Sequence, residues 1–294
     1  MSARWGAGDM RAQEAAELLL RADSSTLAAA IQIPFPQARR EVQTLLTRTL
    51  GIDLAILLAH PERVPQARAT PAYTQMFARR LGGEPMAYVL GEREFYGLIF
   101  QVTPAVLIPR PETELLVEMA LERLPEKCAA ALLDVGTGSG CVAVTLAKLR
   151  PAARIVATDL SQVALAVAER NARRHGVTVE FRAGSWFEPV GDERFDVIVS
   201  NPPYVGEHDA HLSQGDLAFE PSLALTAGAD GLDALRTVVL QASRHLAPGG
   251  TLLVEHGFGQ AEAVAQLLHS AALTDVIART DLAGIPRAAA GRQP

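Results

Sequence analysis

One stretch decides most of what this chain can become. Leu132-Leu133-Asp134-Val135 is an apolar strand that breaks directly into Gly136-Thr137-Gly138-Ser139-Gly140, and a helical pattern follows to Leu149. A buried strand feeding a glycine loop and then a helix is the opening unit of a doubly wound α/β sheet. The alternation continues on both sides of it. A helix is predicted over 113–123, strands over 131–135, 154–158, 177–182, 195–200 and 251–255, and helices over 140–149, 162–175, 232–245 and 260–271. A last pair of short strands near 276–280 and 287–290 completes a mostly parallel, seven-stranded sheet covered by helices on both faces.

The N-terminal part reads differently. Residues 1–85 carry apolar faces at helical spacing, among them Leu18, Leu19, Leu20, Val42, Leu45 and Leu46. Thr70-Pro71 is a cap followed by Pro at the first helical position, and Gly82-Gly83 ends that helix. Residues 86–108 hold two short strands around Gly97, a β-hairpin connector. The expected organisation is a small helical domain over 1–85, the connector over 86–108 and an α/β domain over 109–294.

Charge limits the partners. Residues 1–85 carry 10 Lys and Arg against 8 Asp and Glu, whereas residues 86–294 carry 17 against 25. A protein gripping duplex nucleic acid shows a basic face, so no direct nucleic-acid binding is expected. The two cysteines, Cys128 and Cys141, are too few for a disulfide framework and read as small buried side chains in a reducing compartment. The opening residues lack an apolar core of signal-peptide length, and no apolar run approaches a membrane span. The expectation is a soluble, cytoplasmic protein.

Two segments carry chemistry. The spacing Gly136-Thr137-Gly138-Ser139-Gly140 puts Cys141 where the dinucleotide fingerprint needs its last glycine, so a pyrophosphate is not the intended ligand. Asp159 closes the second strand of the sheet, where a carboxylate accepts both hydroxyls of a ribose. An adenosine without a phosphate requirement fits this pair, and S-adenosylmethionine is such a ligand. The fourth strand ends in Asn201-Pro202-Pro203-Tyr204. Its prolines fix the backbone and remove two N–H donors. The Asn201 side-chain oxygen and the Pro202 carbonyl are then placed to accept the two hydrogens of a planar –NH2 group, while Tyr204 packs on that group or walls off water.

These residues bring out a family likeness. The chain resembles the release factor glutamine methyltransferases (the HemK/PrmC family) from about residue 84 to its end. The matching segments are Glu84 to Gly97, Leu107-Ile108-Pro109-Arg110-Pro111-Glu112-Thr113-Glu114, the glycine loop, Asn201 to Tyr204, Phe219-Glu220-Pro221-Ser222-Leu223-Ala224-Leu225, and Asp281 to Arg287. Asn-Pro-Pro-Tyr is shared with adenine-N6 DNA methyltransferases; the segments around Arg110 and Glu220 are more specific. The resemblance implies a Rossmann-like class I methyltransferase fold and methyl transfer to the glutamine amide of the Gly-Gly-Gln motif in class 1 peptide chain release factors, with S-adenosylhomocysteine as product and no metal. It implies cofactor contacts at Gly136, Thr137, Gly138, Ser139, Gly140, Asp159 and Trp186. Asn201 would touch both cofactor and substrate, and Pro202, Pro203 and Tyr204 would hold the glutamine. The helical domain would grip the release factor.

Other readings stand beside this one. Adenine N6 presents the same –NH2 geometry, and a non-catalytic docking module is the remaining alternative. Glu207, His208, Asp209 and His211 read as a solvated lid loop rather than metal ligands. His256 either lines the cleft or is a hydrogen-bonded structural histidine. Arg110, Glu112 and Thr113 either close over the methionine end of the cofactor, or Thr113 caps the following helix.

Overall fold

A computed structural model describes residues 7–126 and 129–294, so Cys128 lies outside the described residues. The chain divides after Gly91 into two compact units.

The first unit is helical: α1 (Ala7–Ile31), α2 (Phe35–Leu50), α3 (Leu54–Ala59), α4 (Arg63–Arg68), α5 (Pro71–Leu81) and α6 (Met86–Leu90). Gly51, at φ 63°, closes α2 in the left-handed conformation. The Thr70 hydroxyl accepts the Tyr73 N–H at 3.2 Å and caps α5. The apolar stripes meet in one core that includes Leu20, Leu27, Val42, Leu45, Leu46 and Leu57. Asp23 is buried beside it, its carboxylate taking a bidentate Arg68 and the Tyr73 hydroxyl.

The second unit opens with a hairpin, β1 (Glu92–Phe95) and β2 (Leu98–Gln101), whose buried Phe95 and Phe100 face the core. The division between units thus falls inside the segment 86–108, with Met86–Leu90 helical before it and the hairpin after it. Then follow α7 (Glu114–Leu121), β3 (Ala131–Val135), α8 (Cys141–Leu149), β4 (Arg154–Asp159), α9 (Gln162–His175), β5 (Glu180–Ala183), β6 (Phe195–Ser200), α10 (Asp233–His245), β7 (Leu246–Glu255), α11 (Ala261–Ser270), β8 (Thr274–Thr280) and β9 (Pro286–Arg292).

Among the described residues the sheet has seven strands in the order β5-β4-β3-β6-β7-β9-β8. All neighbours are parallel except β9, which is antiparallel to β7 and β8. This is the Rossmann-like class I arrangement. Strand period two sorts the core onto two faces. Leu132, Ile155, Ala157, Val197 and Val199 pack with residues of α7 and α8; Leu133, Val135, Val156, Ile198 and Val254 pack with residues of α10 and α11.

Two strands begin three or more residues from the expected start. The third begins at Glu180 rather than 177, because Gly176 caps α9 at φ 65° and Val177 N–H still bonds back to Ala172. The fifth starts early at Leu246, with a register shift near Gly249-Gly250 that the glycines absorb.

The chain runs outward one way from β3 and the other way from β6, so the sheet's switch point lies between these two strands. Crevices at the carboxyl ends of such strands are where open α/β sheets bind ligands.

Candidate active site

The carboxyl ends of β3, β4 and β6 open onto one cavity of ≈ 470 Å³, within the usual range for small-molecule sites. It is lined by Gly136, Thr137, Gly138, Ser139, Asp159, Trp186, Asn201, Pro202 and Pro203, together with Arg110 and Thr113. Residues far apart in the chain therefore converge only through the sheet topology; Thr113 and Asn201 are separated by 88 positions yet bonded.

The glycine loop has a defined shape. Gly136, Gly138 and Gly140 all have positive φ, at 76°, 56° and 79°. A Cβ on Gly136 or Gly138 would enter open space, whereas one on Gly140 would lie 2.9 Å from Ala168 Cβ on α9. Gly136 and Gly138 thus leave room for a ligand, and Gly140 lets α9 approach the loop. The loop is held from both sides. Gly136 and Thr137 N–H donate to Thr158 O, and buried Asn171 donates from Nδ2 to Ser139 O and Gln101 O.

Asp159 sits at the end of β4 with Oδ2 accepting Gly138 N–H and Oδ1 accepting Ser161 N–H, both at 2.8 Å. Burial raises its pKa against those two bonds. Each oxygen keeps a lone pair for a ligand hydroxyl. Trp186 follows β5 with φ at 47°, a backbone conformation rare outside glycine, and its carbonyl accepts the Thr158 hydroxyl at 2.9 Å.

Asn201 leaves β6 half-buried, with Nδ2 donating to Thr113 Oγ1 at 3.1 Å. Its amide is thereby oriented, and Oδ1 is the acceptor left for a ligand. Tyr204 is also half-buried but, unlike Asn201, Pro202 and Pro203, does not line the cavity; its hydroxyl donates to Glu255 Oε1 at 3.1 Å. Burial pushes the Tyr204 hydroxyl well above its usual range, so it remains a neutral donor. Gln260 donates to the Tyr204 carbonyl at 3.0 Å, and Val205 pairs with residues 225 to 227.

Three buried carboxylates also shape the site, and of these Asp134 and Glu255 are not singled out by the sequence. Asp134 lines the cavity, accepts the Thr137 hydroxyl at 2.6 Å, and is pushed up to about 7 by burial. Glu255, also fully buried, is pushed up to about 7 by desolvation, against the Thr113 and Tyr204 hydroxyls. Glu220 is buried and pairs with Arg110 at the cavity wall. The signal available beforehand was a lone carboxylate inside an apolar run, such as Asp134 in β3, which needs a buried partner.

The remaining candidates settle in place. His256 is buried, its Nδ1 against Gly257 O, and burial lowers its pKa. His211 pairs with Asp209 on an exposed loop, and among the described residues no three metal-ligating side chains converge. Cys141 is buried at the cavity wall, its thiol pushed up to about 12 by burial. No helix among the described residues is long and apolar enough to cross a membrane.

The charged side chains lining the cavity, among the described residues, are Arg110, Asp134, Asp159 and Asp233. Carboxylates with one guanidinium suit a ligand bearing cationic centres and a carboxylate. S-adenosylmethionine has both.

Comparison with known proteins gives the family and the fold. The family model described as methyltransferase small domain matches residues 112–220, and that described as PrmC N-terminal domain matches 13–91. A release factor glutamine methyltransferase of Bordetella pertussis is 52% identical over 254 residues, covering 86% of this chain and 94% of the relative. One from Burkholderia pseudomallei is 48% identical, covering 86% and 92%. A methyltransferase of Pyrococcus furiosus shares the fold, with a TM-score of 0.53 at 18% identity over 75% of this chain and 98% of that one.

Proposed function

The chain belongs to the release factor glutamine methyltransferase family, and from that premise we propose that its substrate is the glutamine of the Gly-Gly-Gln motif in class 1 peptide chain release factors, methylated on its side-chain amide nitrogen. It is a methyltransferase that uses S-adenosylmethionine. The observation that carries the substrate reading is the Arg110–Glu220 ion pair at the cavity wall. It joins the two segments that distinguish this family from the adenine-N6 enzymes sharing Asn-Pro-Pro-Tyr.

In this reading, Gly136, Thr137, Gly138 and Ser139 cradle the cofactor, Asp159 accepts its ribose hydroxyls, and Trp186 lies beside the adenine. When bound, S-adenosylmethionine supplies an electrophilic methyl group on a sulfonium. Asn201 Oδ1 and the Pro202 carbonyl each accept one hydrogen of the glutamine –NH2 and aim its nitrogen. An amide lone pair is delocalised into its carbonyl, so these two acceptors also concentrate electron density on nitrogen. No strong base is needed beforehand: the C–N bond would form as the sulfonium C–S bond breaks to leave S-adenosylhomocysteine, and the proton would pass to water afterwards. Orientation and fixed dipoles supply the catalysis. Pro203 and Tyr204 help hold the glutamine. The helical unit, residues 1–85 in the sequence reading, grips the release factor, no nucleic acid or metal takes part, and the enzyme acts in the cytoplasm.

Labelled S-adenosylmethionine tests this with three acceptors: a class 1 release factor, the same factor with its Gly-Gly-Gln glutamine changed to alanine, and duplex DNA. Label on the unchanged factor alone is expected. Label on DNA would replace this reading with adenine methylation.

A further inference from the structure

The hydroxyl of Thr113 has a use that its place in the chain does not suggest. Thr113 ends a short 3-10 turn, Pro111–Thr113, that leads into α7; its φ of −66° and ψ of −18° are helical, and its side chain makes no capping bond. It is 3% exposed, points into the cavity wall and accepts Asn201 Nδ2 at 3.1 Å. The backbone of Thr113 is fixed independently: its N–H donates to Arg110 O at 3.1 Å, and Arg110 is anchored on Glu220.

We infer that Thr113 is a positioning residue which sets the sense of the Asn201 amide, so that Oδ1 rather than Nδ2 faces the substrate –NH2. The inference rests on the substrate reading above and assigns it a further residue. An asparagine amide has a donor end and an acceptor end of nearly equal shape. Turned the wrong way, Nδ2 would present hydrogens to the hydrogens of the glutamine amide, and the acceptor would be lost. A hydroxyl accepting Nδ2 prevents this only if its own hydrogen points elsewhere. The acceptor available in that direction is buried Glu255, whose Oε2 has no other hydrogen-bond partner among the described residues and whose charged form the Thr113 hydroxyl favours. The same carboxylate takes the Tyr204 hydroxyl.

The test compares Thr113→Val, which keeps the shape and removes the hydroxyl, with Thr113→Ser, which keeps the hydroxyl. With a class 1 release factor, Thr113→Val is expected to lower kcat by roughly 10²-fold, the scale of a misoriented reacting group. Its KM for the factor and its calorimetric affinity for S-adenosylmethionine stay near wild type, and Thr113→Ser recovers most of kcat. Unchanged kcat in Thr113→Val overturns the inference. So does equal impairment of both variants, or a loss of cofactor affinity that accounts for the loss of rate, since either marks a structural role. An atomic-resolution crystal structure of Thr113→Val gives a readout that needs no substrate. There the Asn201 amide is expected rotated or split between two orientations, and an amide unmoved from wild type overturns the inference. Failure of the wild-type enzyme to label any release factor counts against the substrate reading instead, and the crystallographic comparison still decides the role of Thr113.

Discussion

Gly140 and Gly138 share a loop and a positive φ, yet replacing each with alanine should have different consequences. At Gly140 the added Cβ would lie 2.9 Å from Ala168 Cβ and 3.2 Å from Ala168 Cα, in a residue held at φ 79°. Neither neighbour is the free end of a flexible side chain, so α9 or the loop must shift. Left-handed backbone costs an L-residue about 1–2 kcal/mol, and overpacking of a tight contact adds about 1–3 kcal/mol. The sum, about 2–5 kcal/mol, corresponds to a fall in Tm of roughly 4–20 °C for a unit of this size. Gly138→Ala meets open space at φ 56°, so it carries only the backbone cost of about 1–2 kcal/mol. Its methyl group narrows the cavity, and cofactor affinity should fall. Thermal unfolding by circular dichroism, with calorimetric titration of S-adenosylmethionine, separates the two. Equal Tm values for the variants, or full stability in Gly140→Ala, would refute the packing argument.

Asn201→Ala should cut methyl transfer by about 10²–10³-fold while S-adenosylmethionine still binds, as expected for loss of one preorganised polar group; single-turnover kinetics with calorimetry checks both halves. Asp159→Ala should weaken cofactor binding by about 10–100-fold, the scale of hydrogen bonds to a charged group, and unchanged affinity in calorimetry would remove the ribose assignment. Glu255, at about 7 in the fold against 4.5 in the open chain, holds its proton more tightly when folded. Its stabilising effect is present below pH 4.5 and is lost as the pH rises through 7, so Glu255→Gln should gain up to about 3 kcal/mol at pH 8 relative to pH 4; parallel pH–stability curves for variant and wild type would contradict this. Arg110→Ala leaves the buried Glu220 carboxylate without its partner and should cost about 3–5 kcal/mol, with the Arg110→Ala/Glu220→Gln double variant costing less than the two changes summed, as read by chemical denaturation.

The fold was largely legible because its strands are buried on both faces. Runs such as Leu132-Leu133 and Val197-Ile198-Val199 announce themselves without any partner in view, and the helix over 162–175 was read to its ends because Ser161 caps it and Gly176 closes it. The glycine loop, Asp159 and Asn201 were legible as chemistry because their residue types are needed at strand ends. Other features depend on distance in the chain. Nothing near Thr113 says that its hydroxyl is taken by Asn201, 88 positions later, and nothing near Arg110 says that Glu220 lies against it, 110 positions later. Asn171 is a single polar residue in an amphipathic helix, and only the folded sheet brings it under both Gln101 and Ser139. The starts of β5 and β7 were misjudged because a glycine cap and a bulge, rather than hydrophobicity, set them.

The central claim is chemical: this cavity methylates one amide nitrogen. Tandem mass spectrometry of a class 1 release factor, after reaction with the enzyme and S-adenosylmethionine, tests it most directly. A single added methyl group is expected on the side-chain nitrogen of the Gly-Gly-Gln glutamine, with the yield in a fixed short reaction cut by about 10²–10³-fold when Asn201→Ala replaces the wild type. A methyl group on any other residue, or the same yield from Asn201→Ala, would contradict it.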